Sequence, residues 1–457
     1  MNRRREFLGG LGLAGLGAWS SGLLGSSVPL LQPAQAAGDY RALVVIFLDG
    51  GNDGNNVLVP TDGGYTDYAQ SRQHLAFAKD SLAGLVGMHG GRSLAVHPAL
   101  APLAGLFESE RLNFIANVGP LVEPSTAQKV LDLAVEVPPF LLSHSEQVSI
   151  TQGWTWSDDS SGWAGRGLEL LPSSLRNNIA AVTLNRNRQL VQGKRSSVSY
   201  LEPDGSRYWH WADMARPADE SVQELSRMAQ WQFSNPYEAE YARTFGQGVE
   251  DAKRFTSAIQ GAAEPAADFG DGGDNYSIGG YLRLLAKLMP VFRSQGLRRQ
   301  VFMVQWGGFD THTGQRGSGS NTQDTQLAAL ARAMKAFDDS NRAAGLDSNV
   351  VTLVMSEFGR TLRPGSGGGS EHGWGSHWWT MGGPVQGRQV VGTFPQLVLG
   401  GVDDGDRGQN GRLVPGIATD QVAATLMQWM GLPQSLFSEA FPLLGAFSQK
   451  ILPLLKV

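Results

Sequence analysis

Short runs of consecutive apolar residues recur along the chain, rich in Val and Ile and bounded by turn-forming residues. A strand with one face in water alternates apolar and polar residues, whereas these runs are apolar almost throughout. This continuity indicates strands that are covered on both faces, as in a parallel sheet. The predicted strands are residues 42–48, 113–118, 179–184, 301–305 and 350–355.

Between these runs, apolar residues recur at spacings of three and four, which is the period of an amphipathic helix. Strands that alternate with helices predict a doubly wound α/β fold, with a mostly parallel sheet and helices on both of its faces. The predicted helices are residues 99–107, 281–292, 325–337 and 421–430.

The middle of the chain is less regular than its two ends. A Pro pair at 138–139, a Trp-rich stretch at 154–163 and a polar helical stretch at 220–263 indicate a helical and irregular insertion over about 120–275. We therefore expect a single domain over 37–457, long enough to bury a large core, with that insertion over the edge of the sheet.

The N-terminus has the features of an export leader. Residues 3–8 contain an arginine pair, a spacer and Phe-Leu, the pattern that the twin-arginine translocase recognises. A mild apolar run (8–24) and an Ala-Gln-Ala cleavage site (34–36) follow. A retained membrane anchor is the alternative, and the glycines and serines in the run make it the weaker one. We expect a signal peptide at 1–36, the translocase as a partner, and a periplasmic or secreted protein that is not integral to a membrane.

Composition limits the partners and the chemistry. The formal net charge is −5, and the leader contributes +2, which leaves −7 for the rest of the chain. An acidic chain without a basic stripe has no electrostatic footprint for nucleic acid. The chain contains no cysteine, which excludes disulfides, thiol catalysis and thiolate metal sites. Any metal must therefore be held by oxygen and imidazole ligands.

Polar clusters follow three of the predicted strands, and ligands of open α/β sheets bind beyond the carboxyl ends of the strands. Each residue has an ordinary structural explanation when taken singly, such as a turn, an ion pair or a loop histidine. Together they are more specific, because three of only eight histidines fall in these clusters. Carboxylate and imidazole ligands suit a divalent metal such as Zn, Mn, Mg or Ca. The candidate ligands are Asp49, Asp310, His312, Glu357, His372 and His377.

Ser143 is the candidate nucleophile. It precedes a segment that can begin a helix, where the positive end of the helix dipole and a bound metal would lower the pKa of its hydroxyl. The alternative is a plain helix cap, because Glu146 lies three positions later in a capping-box pattern. Both explanations remain open at this point.

The chain resembles the bacterial family called domain of unknown function 1501, which is related to the alkaline phosphatase and sulfatase superfamily. The resemblance covers nearly the whole chain after the leader, and twin-arginine leaders are common in that family. Its motifs here are FLDGGNDGNN (47–56), Ser143-His144, GWAGR (162–166), FDTH (309–312), SEFGRT (356–361) and HGWGSH (372–377).

The resemblance implies an alkaline-phosphatase-like core with two metals at the carboxyl edge of the sheet, and a role for each candidate residue. Asp49 and Glu357 would hold one metal, and Ser143 would act as nucleophile between the two. Asp310, His312 and one or both of His372 and His377 would hold the other. Either Arg166 or Arg360 would contact the equatorial oxygens of a phosphate or sulfate ester through a bidentate fork.

The chain also departs from the pattern of its relatives. Glu357-Phe358 stands where superfamily phosphatases have an Asp-His pair, so that metal loses an imidazole. Ser145 replaces the usual aromatic residue after Ser143-His144. Family members often read DHGWGSHH where this chain has EHGWGSHW at 371–378.

The function predicted from the sequence is an exported, metal-dependent hydrolase of a small-molecule or envelope ester of phosphate or sulfate. Two alternatives keep the same fold: a metal-binding protein without turnover, and a carbohydrate- or envelope-binding protein. Exposed tryptophans would provide stacking surfaces for the latter, and core packing is their ordinary explanation. These tryptophans are Trp156, Trp209, Trp211, Trp378 and Trp379.

Overall fold

The computed structural model of the protein describes residues 39–456 apart from 154–159, 185–186, 197, 204–207, 210–211 and 215. The predicted signal peptide lies outside the described residues, as do Trp156, Trp211 and the side chain of Trp209. None of the described helices is long and apolar enough to cross a lipid bilayer.

A nine-stranded sheet forms the centre of the fold, and we number its strands in chain order. They are β1 (Arg41–Leu48), β2 (Leu112–Gly119), β3 (Ala181–Thr183), β4 (Ser199–Tyr200), β5 (Arg299–Trp306), β6 (Val350–Met355), β7 (Ser376–Met381), β8 (Val390–Val391) and β9 (Ile417–Ala418). Smaller sheets pair Leu58–Pro60, Leu94–Val96 and Ala83–Gly84, then Arg360–Pro364 with Ser370–His372, and Tyr208–Trp209 with Ala212–Asp213.

The central sheet is mostly parallel. Its spatial order is β8-β2-β7-β6-β1-β5-β3-β4, and β9 also pairs with β2. Neighbouring strands are parallel except at β7, which runs antiparallel to both β6 and β2. Every predicted strand belongs to this sheet, so the predicted mostly parallel α/β fold is confirmed.

The helices connect and cover these strands. They are α1 (Gly64–Arg72), α2 (Ala104–Glu108), α3 (Ala127–Leu131), α4 (His144–Thr151), α5 (Trp163–Glu169), α6 (Glu220–Met228), α7 (Pro236–Gly261), α8 (Ile278–Ser294), α9 (Gln323–Ala343), α10 (Thr419–Trp429) and α11 (Phe437–Ala440). The helix predicted at 99–107 begins instead as a 3-10 helix over Pro98–Leu103, which contains Pro102, and becomes α-helical only in α2.

Alternate residues of β1 point into two separate cores, one on each face of the sheet. Val44 and Ile46 pack in the larger core, to which α8 and α9 contribute. Val45 and Phe47 pack in the second core, with α5 and α10. The near-continuous apolar run in the sequence therefore reflects burial on both faces, as predicted for a parallel strand.

The segment over about 120–275 contains elements of two kinds. β3 and α5 contribute to the main cores, whereas α6 and the first half of α7 enclose a small core of their own. That small core consists of Met214, Val222, Leu225, Phe245 and Val249. The second half of α7 returns to the larger core through Phe255 and Ala258.

Two of the tryptophans considered as stacking surfaces lie in the interior. Trp378 and Trp379 are consecutive residues of β7, with exposed fractions of 2% and 1%. Because successive side chains of a strand point to opposite faces, each enters one of the two main cores. Core packing is thus the correct explanation for this pair, and neither can stack on an external sugar.

Candidate functional site

The carboxyl ends of three adjacent strands meet at one edge of the sheet. β6, β1 and β5 are parallel neighbours, so the loops that follow them begin side by side. Asp49 follows β1, Asp310 and His312 follow β5, and Glu357 follows β6. Gly50 has a positive φ of 117°, and a side chain there would overlap the backbone of Asp310. Glycine at this position therefore allows the first two loops to pack against each other.

Three imidazoles converge on one carboxylate oxygen at this edge. Asp310 Oδ1 lies 3.1 Å from His312 Nε2 and 3.5 Å from the Nε2 atoms of His144 and His372. His312 Nε2 and His372 Nε2 are 3.0 Å apart. We call these four residues the imidazole cluster. His144, Asp310 and His372 have ligand atoms that all lie within 4.8 Å of one another.

Each imidazole has an oxygen atom close to its Nδ1 nitrogen. Glu357 Oε1 lies 3.0 Å from His144 and the Leu142 carbonyl lies 2.6 Å from His372, both at hydrogen-bond geometry, and Glu371 Oε2 forms an ion-pair contact of 2.7 Å with His312. A carbonyl or carboxylate oxygen places the proton on Nδ1, which leaves the lone pair on Nε2. Burial lowers the pKa of His372, which favours its neutral ring. These contacts favour, in each ring, the tautomer that a metal ligand requires.

The imidazole cluster fits a divalent cation. Three lone pairs and a carboxylate face one another, and His144 Nε2 has no hydrogen-bond partner among the described residues. Ligand atoms arranged tetrahedrally at about 2.0–2.1 Å from a cation lie about 3.3 Å apart. Four of the separations in the cluster are 3.0–3.5 Å, close to this value, and the ligand atoms of His144, Asp310 and His372 form a group within 4.8 Å of one another. Three imidazoles and one carboxylate suit Zn, Mn or Fe better than Mg or Ca, which prefer oxygen ligands.

An irregular segment brings His144 to the cluster from the first turn of α4. Phe140 and Leu142 both have positive φ angles, 51° and 75°, in the left-handed region that most residues avoid. This segment supplies two parts of the site, because the Leu142 carbonyl contacts His372 and the His144 ring contacts Asp310. Backbone strain of this kind concentrates at functional sites.

Ser143 occupies the N-cap position of α4, directly before His144. Its hydroxyl donates to the carboxylate of Glu146 and lies 3.5 Å from the hydroxyl of Ser145. It makes no hydrogen bond to the backbone of the helix. Ser143 is therefore at the N-cap position, but it bonds Glu146 through the two side chains and not in a capping box. The role of Ser143 as a nucleophile stays a prediction.

Glu357 lies behind His144. Its side chain is fully buried, and Oε1 accepts hydrogen bonds from His144 Nδ1 and from the Gly50 backbone N–H at 2.8 Å. Oε2 lies 3.0 Å from the hydroxyl of Ser356. This carboxylate raises the pKa of His144. The sequence predicted a direct metal ligand, whereas these contacts are those of a carboxylate that orients a ligand.

Arg360 is a buried support of the site. Its guanidinium donates to the carbonyls of Gly51 at 2.9 Å, Ser370 at 2.7 Å and Phe309 at 3.2 Å, and also to the Gly50 carbonyl. The same group donates to Asp310 Oδ1 at 2.5 Å. Burial alone would raise the pKa of Asp310, and the nearby positive groups outweigh it and lower the pKa.

Asp49 lies beside the imidazole cluster at the end of β1. Partial burial raises the pKa of its carboxyl, and the negative charge of Glu357 raises it further. A hydrogen bond from the side chain of Gln305 acts in the opposite direction. A half-buried carboxylate with a raised pKa near possible metal ligands is typical of a group that accepts a proton.

The two remaining candidates have partners elsewhere. His377 is 2% exposed on β7, and its Nδ1 accepts a hydrogen bond from the Asn117 N–H at 3.0 Å. Its ring stacks on that of Phe394, and burial lowers its pKa to about 3. Arg166 is also buried, in α5, where it donates to the carbonyl of Ala440 at 2.9 Å and to that of Ser161. The structure brings neither residue into the imidazole cluster.

Comparison with known proteins identifies the family. The profile of the family described as "Protein of unknown function (DUF1501)" matches residues 40–407, which is most of the chain. The chain belongs to this family. The predicted resemblance is therefore confirmed. None of the curated proteins compared with this DUF1501 chain matches it.

Solved structures similar to this DUF1501 protein show low overall likeness. Ps i-CgsB has 10% sequence identity and a TM-score of 0.35, over 91% of this chain and 77% of that one. The lipoteichoic acid synthase LtaP from Listeria monocytogenes has 8% identity and a TM-score of 0.33, over 87% and 74%. The C-terminal periplasmic domain of EcEptC from Escherichia coli has 10% identity and a TM-score of 0.32, over 89% and 86%. Scores this low have no bearing on activity.

The sequence did not indicate two parts of the site in this DUF1501 chain. His144 follows no strand, so the pattern of polar residues at strand ends does not indicate it as a ligand. In the sequence it stands out only as the neighbour of Ser143. Glu371 stands out in the sequence only because it replaces the Asp that family members often have before HGWGSH. In the structure its carboxylate contacts His312 Nδ1. The signal that could have found His144 is the irregular Pro-containing stretch before a short helix, which is a usual position for a ligand on a loop.

Proposed function

We propose that this protein is an exported, metal-dependent hydrolase of a phosphate or sulfate ester, with a divalent cation held by the imidazole cluster. One observation carries the proposal: the Nε2 atoms of three imidazoles converge on Asp310 Oδ1, and an oxygen atom lies close to the Nδ1 of each ring. A bound divalent cation would supply a Lewis acid that polarises an ester oxygen.

The chain's own residues have separate tasks in this proposal. Asp310 carries the one carboxylate in the cluster, and Arg360 holds that carboxylate in place. Asp49, with its raised pKa, takes the proton of the attacking hydroxyl group. That hydroxyl belongs either to Ser143, one residue from His144, or to water.

The proposal requires one cation. The family resemblance implies a second cation between Asp49 and Glu357. Such an ion would compete with the hydrogen bonds that Glu357 Oε1 accepts from Gly50 and His144. For this reason we place the first cation in the imidazole cluster. The number of ions bound per chain is then decided by the metal analysis.

The decisive experiment measures metal content and turnover on the same protein. The mature protein would be analysed for bound metal, then reloaded with Zn, Mn, Mg or Ca and assayed with an aryl phosphate and an aryl sulfate. His144→Ala and Asp310→Ala should lose both the metal and turnover. His74→Ala is the matched control, because His74 is exposed and lies outside the cluster. Metal bound without turnover would favour the non-catalytic alternative, and no metal in any preparation would overturn the site.

Export is tested separately from activity. We propose that residues 1–36 direct the chain through the twin-arginine translocase. Replacing the arginine pair by lysines (Arg4→Lys with Arg5→Lys) should retain the protein in the cytoplasm, because the translocase recognises the paired guanidiniums. Arg3→Lys, outside the pair, is the control. Unchanged export of the double variant would contradict this assignment.

A further inference from the structure

The imidazole cluster lies among acidic side chains. The carboxylate of Asp310 belongs to it, Glu357 and Glu371 contact its rings, and Asp49 lies close enough to interact electrostatically with His144 and Asp310. The three imidazoles must be neutral to bind a metal, so they add no positive charge. Four carboxylates therefore determine the sign of the site before any cation binds.

The guanidiniums in contact with the cluster are already committed to protein oxygens. Arg360 donates to four backbone carbonyls and to Asp310. Arg412 donates through Nε to the carbonyl of His372 at 3.0 Å and through Nη1 to Asp406 at 2.9 Å. The forked recognition of an anion that the sequence predicted for Arg360 would require breaking several of these buried bonds.

We propose that the site selects its substrate by charge, taking monoanionic esters in preference to dianionic ones. The substrate class is then a phosphate diester or a sulfate monoester rather than a phosphate monoester. This inference rests on the proposed function. Four carboxylates against the Arg360 guanidinium and one divalent cation leave the site with a net charge of −1, and the charge of Arg412 is balanced by Asp406. A dianion therefore meets more repulsion than a monoanion. The nearby guanidiniums do not offset this repulsion, because they are already bonded to protein oxygens.

The reaction of such a substrate is balanced by one water. Hydrolysis breaks one P–O or S–O bond, one hydrogen of the water leaves with the alcohol, and the remaining hydroxyl group stays on the phosphoryl or sulfuryl group and loses its proton to solvent when it ionises. A diester gives a monoester, and the product carries one more negative charge above about pH 7. The acidic site would repel that dianionic product more strongly than the substrate, which assists its release.

The test compares two ligands that differ by one methyl group. The mature protein is loaded with Co²⁺, and its visible absorption is titrated at about pH 8 with dimethyl phosphate, a monoanion, and with methyl phosphate, which is a dianion there. We expect dimethyl phosphate to bind about tenfold more tightly than methyl phosphate. This factor corresponds to about 1.4 kcal/mol of extra repulsion for the second negative charge. The readout is a metal spectrum, so it does not depend on turnover.

A charge variant sharpens the test. Glu371→Gln removes one negative charge and keeps an oxygen beside His312 Nδ1. At saturating Co²⁺, this variant should narrow the preference for the monoanion several-fold. Glu439→Gln removes the same charge from an exposed residue of α11 and should leave the preference as it is.

The outcomes separate the inference from the proposed function. Methyl phosphate binding as tightly as dimethyl phosphate, or more tightly, would overturn the inference, as would a spectrum that neither anion perturbs. Failure to bind Co²⁺ would overturn the proposed function itself, and it would be seen before any anion is added. In a parallel assay, bis(nitrophenyl) phosphate and nitrophenyl sulfate should be hydrolysed with higher kcat/KM than nitrophenyl phosphate.

Discussion

At the scale of single residues, the oxygen atom close to each Nδ1 determines which nitrogen of that imidazole is free to bind a ligand. A histidine can present either nitrogen to a ligand, and the hydrogen bond on the other nitrogen decides which one. Here two carboxylates and one carbonyl occupy the Nδ1 sides, so that all three Nε2 atoms face Asp310. Changes to such supporting groups are expected to alter metal affinity without removing a ligand.

Glu357→Gln tests this expectation. The variant keeps an oxygen for His144 and Gly50 but loses the charge that favours binding through His144. We expect metal affinity to fall about 10-fold to 100-fold in a competition titration with a chelator. The shape of the Co²⁺ spectrum should persist, because the ligands themselves remain. A spectrum with a changed ligand set would instead identify Glu357 as a direct ligand, and Glu439→Gln should match the parent protein.

Arg360→Lys should destabilise the fold itself. The buried guanidinium satisfies several carbonyls and Asp310, and a lysine ammonium cannot reach all of them. We expect the free energy of unfolding to fall by about 3 kcal/mol or more, as measured by urea denaturation. Arg342→Lys, on the exposed side of α9, should stay within about 0.5 kcal/mol of the parent. Equal losses in the two variants would contradict the supporting role.

At the scale of elements, the sequence was informative where a strand is buried on both faces. The apolar runs predict β1, β5 and β6 and the strand ends that Asp49, Asp310 and Glu357 follow, whereas the order of the strands in the sheet comes from the structure. β7 was not predicted, because its sequence SHWWTM mixes polar residues with tryptophan and resembles a loop. The sequence therefore predicts His377 as a metal ligand, whereas in the structure it is a buried residue of β7.

The burial of His377 on β7 predicts how stability depends on pH. Its pKa is about 3 in the folded protein, against 6.5 for an ordinary histidine, so the unfolded chain takes up a proton first as the pH falls. The contribution of His377 is complete above about pH 6.5 and is lost progressively toward pH 3, by up to about 1.4 kcal/mol per pH unit. His377→Asn keeps an acceptor for the Asn117 N–H and cannot be protonated.

The measurement is urea unfolding of the metal-free protein at about pH 7 and about pH 4.5. The loss of stability between the two values should be smaller for His377→Asn than for the parent, whatever its stability at neutral pH. His74→Asn changes an exposed histidine and should keep the slope of the parent. An identical slope for His377→Asn would show that this ring does not resist protonation in the folded state.

At the scale of the whole molecule, the site exists only once the fold is complete. Its proposed ligands are His144, Asp310, His312 and His372, and the supporting contacts extend back to Gly50. The fold class could be predicted from local patterns, because each strand and helix has its own periodicity. The position of His144 could not, since it depends on how an irregular segment crosses the edge of the sheet. A translocase that carries folded proteins would suit such a site.

Because the proposed ligands are separated in sequence, metal binding at this site would be linked to folding. An ion that binds the folded chain and not the unfolded one stabilises it by about 2.7 kcal/mol at a free concentration of 100 times its Kd. We therefore expect the cation to raise the free energy of unfolding of the parent protein, and of His74→Ala, by an amount that grows with its concentration. His144→Ala should show little of this rise, because one of the converging lone pairs is missing. Urea titrations with and without a chelator would measure it. The same rise in His144→Ala would show that His144 is not a ligand of the stabilising ion, since Asp310, His312 and His372 would remain to hold it.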